Sequence, residues 1–185
     1  MQLKDIDKAR YKKHLNIVIV GFISSLLILS LIFGQLLIAL FSTVEQNVID
    51  LAKITAEQAP EGSNFKFNLI GVVLALFVNA AILHRVKNSD FFNEVYYVWQ
   101  IKQVQNLIYR KLKKIKAAAK ESDEQALRIL FYYYNSIKQL YILDDNTITL
   151  SSVEKNLQDI TESINEKNID IDALPFDKAM LADYK

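Results

Sequence analysis

The sequence predicts an all-α membrane protein, a two-helix transmembrane hairpin followed by a cytoplasmic antiparallel helical bundle of about three helices. Three observations carry this reading. Two uncharged apolar runs, Leu15 to Phe41 and Phe67 to Leu83, are each long enough to cross a bilayer. Basic residues flank that pair on one side only. Beyond His84, apolar residues recur at steps of three and four along three successive segments.

Residues 1–14 form a basic N-terminus containing Lys4, Lys8, Arg10, Lys12 and Lys13. The first span, residues 15–41, would be about 40 Å long as a helix. A hydrocarbon core is about 30 Å thick, so this helix should tilt or emerge. Its length exceeds a signal-peptide core of about 7–15 residues, and Ala39-Leu40-Phe41 offers no small-residue cleavage site. A retained span is therefore expected. In the connecting segment, residues 42–64, Val44, Val48, Leu51 and Ile54 extend the helical spacing toward Gln58. Ala59-Pro60-Glu61-Gly62-Ser63-Asn64 then turns the chain back. The second span covers residues 65–84, with Lys66 snorkelling at its start. The loop holds only Lys53 and Lys66 as basic residues, whereas Arg85 and Lys87 follow the second span. The positive-inside rule then places both termini in the cytoplasm and the loop in the periplasm.

Neither apolar run contains an ionisable residue. Proton and ion pathways normally need one inside the membrane, which argues against a conventional pump or secondary transporter. The polar residues that remain are Ser24, Ser25, Ser30 and Gln35 in the first span, and Asn68 and Asn79 in the second. Antiparallel pairing would set Gln35 at the depth of Asn68, and Ser24 and Ser25 at that of Asn79. Hydrogen bonding across the pair is the expected role, with a polar pore lining as the alternative. Ser30-xxx-Gly34 and Gly71-xxx-Ala75 are small-xxx-small pairs that allow close backbone approach, within the hairpin or to a second copy. His14 and His84 end the spans on the inner side; an interfacial role is expected there rather than a haem or metal pair.

A soluble region, residues 88–166, follows. Its first helix starts near Phe91, after an Asn88-Ser89-Asp90 cap, and continues through Trp99, Val104, Ile108, Leu112 and Ile115. The aromatics Phe91, Phe92, Tyr96, Tyr97 and Trp99 suit either a membrane interface or a soluble core. Arg110, Lys111, Lys113, Lys114, Lys116 and Lys120 form a basic stretch at its far end. Pairing with the acidic C-terminal segment is the first expectation for it, contact with anionic lipid the second, and nucleic acid the third and least favoured. A second helix spans about Asp123 to Leu143, with Leu127, Leu130, Tyr134, Ile137 and Tyr141 on its stripe. A third opens at a capping box, Ser151 with Glu154, and carries Leu150, Val153, Leu157, Ile160 and Ile164. The acidic tail, residues 167–185, loses periodicity and is expected to be mobile or to dock as a short extended motif.

Charge is segregated along the chain. Residues 84–143 hold eleven basic and five acidic side chains, and residues 144–185 hold four basic and ten acidic. Cysteine is absent, and the region beyond His84 has no histidine or glycine. A thiolate nucleophile, a cysteine metal site and a glycine-rich phosphate loop are therefore excluded there. No serine or threonine has a nearby base to activate it. No enzyme activity, cofactor or metal site is expected.

The words Gly34-Gln35-Leu36-Leu37-Ile38-Ala39-Leu40-Phe41, Gly62-Ser63-Asn64-Phe65, the block from Phe91 through Ala119, Asp144-Asp145-Asn146-Thr147 and Leu150-Ser151-Ser152 resemble a family of small two-span bacterial proteins. It is a domain-of-unknown-function family, seen mainly in proteobacteria. The resemblance extends to about residue 165 and implies a bacterial inner membrane. It implies no activity, ligand or catalytic residue.

The leading functional expectation is a non-enzymatic inner-membrane interaction or scaffold protein. Its helical bundle would meet a protein partner or another copy, while the spans meet membrane lipid. A small oligomeric channel lined by the first span is the alternative. A lipid- or nucleic-acid-contacting module built on the basic helix is the third.

Overall fold

A computed structural model describes residues 3–52, 64–171 and 175–184, with side chains described for all of these but 42–52. Among the described residues the chain is all-α and contains no strand. The elements are α1 (Lys8–Ala52), α2 (Phe65–Val86), α3 (Asn93–Tyr109), α4 (Leu112–Lys120), α5 (Glu124–Leu143), α6 (Leu150–Glu166) and a short 3-10 helix (Lys178–Asp183). They form two compact units, one of Lys13–Phe92 and one of Met1–Lys12 with Asn93–Lys185.

The first unit pairs α1 with α2. No proline interrupts either helix, and both are long and apolar enough to cross a membrane. On α2, Phe67, Gly71, Ala75 and Asn79 are buried at every fourth residue, the ridge spacing that seats one helix in the groove of another. Most other apolar side chains of the two helices are exposed. Beyond Phe41 the helix runs on to Ala52. The expected continuation through Ile54 to Gln58 and the turn at residues 59–63 lie outside the described residues.

The second unit is organised around α5, which packs against α3, α4 and α6. Asp123 starts α5: extended at ψ 116°, it accepts the Ala126 amide at 2.7 Å, a cap that satisfies a free helix-end donor. The core gathers Val104 and Ile108 from α3, Ile115 from α4, Ile129, Leu130 and Tyr132 from α5, and Val153 from α6. Three helix ends turn through left-handed residues without glycine: Ser122 at φ 71°, Asp145 at φ 56° and Asn168 at φ 52°.

Three features differ from the sequence expectation. The single helix expected from Phe91 to Ile115 starts instead at Asn93 and is divided at Arg110-Lys111, giving four α-helices rather than about three. The division reorients the chain where Lys111 Nζ reaches the Leu181 carbonyl at 2.6 Å, a tertiary contact rather than a local propensity. Helix α6 begins at Leu150, one residue before the expected capping box. Ser151 is thus inside the helix, and Glu154 pairs with Lys138 at 2.9 Å instead of capping. The C-terminal segment, given mobility and extended docking as its two expectations, is packed as a 3-10 helix. Phe176, Leu181 and Tyr184 enter the core, and the Phe176 ring stacks on Tyr132 at 4.3 Å. Residues 3–12 of the basic N-terminus group with the helical unit.

Candidate functional site

Within the hairpin, the helices come closest at Gly34 and Gly71. A Cβ placed on Gly71 would lie 2.6 Å from the Gly34 nitrogen and 3.0 Å from the Ser30 carbonyl oxygen, so backbone meets backbone there. A Cβ on Gly34 would lie 2.7 Å from Asn68 Oδ1. Ala75, one turn beyond Gly71, is fully buried. Deeper along the pair, the Ser25 hydroxyl donates to Asn79 Oδ1 at 2.5 Å, and Asn79 Nδ2 donates to the Ala75 carbonyl at 2.9 Å. Ser30 donates to the Leu27 carbonyl within its own helix, at 2.9 Å. The structure thus brings Ser30, Gly34, Gly71, Ala75 and Asn79 to one seam. It leaves Gln35 exposed and without a hydrogen-bond partner among the described residues. Asn68 is also largely exposed.

Next to this seam lies a cleft of about 310 Å³, lined among others by Val18, Gly21, Ser25, Asn79, Leu83 and Phe91. The two histidines have different neighbours. The His14 ring lies 4.2 Å from the Phe91 ring, whereas His84 Nδ1 lies 3.3 Å from Lys87 Nζ.

In the helical unit, residues 3–12 form a strap. Leu3 packs on the core, the Lys4 amide donates to Tyr97 Oη at 2.6 Å, and Gln139 Nε2 donates to the Lys4 carbonyl at 2.5 Å. Tyr11 is buried. Lys8 and Lys12, one turn apart on α1, both pair with the Asp145 carboxylate. Their hydrogen bonds, that of Lys12 first, hold the Asp145 carboxyl down at about 2. Beside it, Asp144 pairs with Lys102 at 3.3 Å. This clamp was not anticipated from the sequence. The one local hint was the four-residue spacing of Lys8 and Lys12, which shares a helix face but says nothing of a partner 133 residues away.

The basic stretch divides at the α3–α4 turn. Lys111 contacts the C-terminal segment through the Leu181 carbonyl, and Lys116 Nζ sits 5.8 Å from the centre of the Tyr134 ring. Arg110, Lys113, Lys114 and Lys120 are exposed. None of the six forms an ion pair among the described residues, so the expected pairing with the acidic segment is replaced by a carbonyl contact. On α3, the aromatics divide as well: Tyr97 is buried, while Trp99 is 53% exposed and stacks on Tyr96 at 5.6 Å. Leu107, about two turns on, is also exposed.

Fold and site together define an all-α protein that joins two membrane-length apolar helices to a separate helical unit. The chain belongs to the family described as Protein of unknown function (DUF3087), whose model matches residues 1–181. That match takes in the C-terminal segment, past the limit near residue 165 expected from the sequence, which agrees with its packing into the core. No curated protein and no solved structure matches the chain.

Proposed function

We propose that the protein is a non-enzymatic interaction protein of the bacterial inner membrane. In this reading α1 and α2 cross the bilayer with both termini in the cytoplasm, and the helical unit, an antiparallel bundle, presents a surface to a protein partner or another copy. Support for the anchor comes from burial. Only 6% and 17% of the most apolar windows of the two helices are covered by protein, whereas a soluble core helix would be mostly covered. The observation that carries the interaction reading is the exposed Trp99, stacked on Tyr96 and followed by Leu107 along α3. A large aromatic left in water is unfavourable, and such residues dominate protein interfaces.

The test is crosslinking in native membranes followed by mass spectrometry, comparing the unaltered chain with Trp99→Ala. The reading expects a defined crosslinked species that Trp99→Ala depletes. A monomer that captures nothing would overturn it, as would bilayer conductance abolished by Gln35→Leu, which would favour an oligomeric channel. A second reading is favoured by the unpaired basic face of Arg110, Lys113, Lys114 and Lys120, namely contact with anionic lipid headgroups. Binding to anionic vesicles should then weaken as salt is added, because exposed charges are screened. Nucleic acid remains the least favoured partner for that face.

A further inference from the structure

We propose that the outer face of α1 is a self-association seam, at which Gln35 of one copy hydrogen-bonds Gln35 of a second copy of this chain. The inference rests on the membrane reading above and names the second copy as a partner. The hairpin already satisfies Ser25, Ser30 and Asn79 internally. Gln35 is different: it is exposed and has no hydrogen-bond partner among the described residues. It lies seven residues from the middle of the Leu15–Phe41 run, about 10 Å along the helix, well inside a hydrocarbon half-thickness of about 15 Å. Lipid tails offer its amide nothing to bond, so the polar group needs a protein partner.

Gln35 does not stand alone. Ser24, Ile28, Leu31 and Gln35 recur at steps of four, three and four, all exposed. Ser24 and Leu31, and likewise Ile28 and Gln35, stand one heptad apart, the repeat of a left-handed helix pair, along the face turned away from α2. The small residue Ser24 lets a second backbone approach. Copies of one chain insert with the same orientation, so their Gln35 residues meet at equal depth. A carboxamide is both donor and acceptor, hence complementary to its own copy across a two-fold axis. Hydrogen-bond complementarity, added to the apolar face, thus selects a second copy as the partner.

The chain has no cysteine, which makes single-cysteine scanning unambiguous. Cysteines would be placed at Ser24, Ile28 and Leu31 on the seam, and at the exposed off-seam residues Leu27 and Leu36, in the full chain in native membranes. Crosslinked dimer should form several-fold more at the seam positions. Added to the Leu31→Cys chain, Gln35→Leu should weaken association roughly tenfold, and Gln35→Asn should retain most of it. Equal crosslinking at all five positions, or a Gln35→Leu chain that associates normally, would overturn the seam. So would no crosslinking at all, the result if Gln35 instead bonds Asn68 within its own hairpin. Rapid labelling of Ile28→Cys by a water-soluble maleimide would sink the membrane anchor itself, which keeps the two failures distinct.

Discussion

Gly71 shows what a single missing side chain does here. Its Cβ would strike the Gly34 backbone nitrogen at 2.6 Å and the Gly34 Cα at 2.9 Å, atoms that move only if the helices separate. At Gly34 the obstacle is the end of the Asn68 side chain, which can rotate away. At Gly21 there is no obstacle within 4 Å. The cost of Gly→Ala should therefore fall in the order Gly71, Gly34, Gly21, with Gly71→Ala destabilising the hairpin by about 1–3 kcal/mol through overpacking. Thermal unfolding of the three variants in detergent checks the order. Equal midpoints would show that the close approach does not hold the pair. Small-xxx-small spacing made Gly71 and Gly34 visible as candidates, but spacing alone left open whether they meet each other or a second copy. Neighbouring Gln35 was legible only as a polar residue in a span. Which way it faces depends on the partner helix, 30 residues or more along the chain.

The elements divide by how local their causes are. Helices α5 and α6 follow apolar steps of three and four, and their spans were readable to within a residue or two. The break between α3 and α4 was not, since Arg110-Lys111 contains no glycine or proline and the turn is tied by Lys111 to a carbonyl 70 residues away. The same holds for the helix ends at Ser122, Asp145 and Asn168, where the usual glycine signal is missing. The C-terminal segment hid its role differently. A six-residue 3-10 helix is too short to display a period, and its acidic composition suggested mobility. Yet Phe176 is 4% exposed against Tyr132, and Lys111, Gln125 and Asp123 each bond the segment. Phe176→Ala should lower the stability of the helical unit by about 3 kcal/mol or more, the range for emptying a buried aromatic site. Denaturant unfolding followed by tyrosine fluorescence measures it. A change within about 0.5 kcal/mol, typical of surface positions, would mean that the segment does not belong to the core.

At the scale of the whole molecule, the two units differ in their response to protons. The runs Leu15–Phe41 and Phe67–Leu83 contain no titratable side chain, so pH acts on hairpin packing only at its ends. The helical unit is rich in shifted groups. Burial pushes the Tyr132, Tyr133 and Tyr97 hydroxyls up, opposed at Tyr97 by the Lys4 amide. Burial and then the hydrogen bond to Asp123 push Tyr184 up. A folded pKa above the unfolded value, about 10 for tyrosine, means stability that is complete below pH 10 and lost as the pH rises further. Asp145 runs the other way. Its folded pKa of about 2 gives the Lys8–Lys12 clamp a contribution present above about pH 4 and lost as the pH falls through 2. That carboxylate is exposed and screened by solvent, so the alkaline limb should be the steeper. Raising the pH from 9 to 12 in detergent should therefore abolish the near-ultraviolet circular dichroism of the tyrosine-rich unit, together with a rise in tyrosinate absorbance. A far-ultraviolet helical signal accounting for the hairpin should survive. Complete loss of helicity in one transition would show that the two units unfold as one.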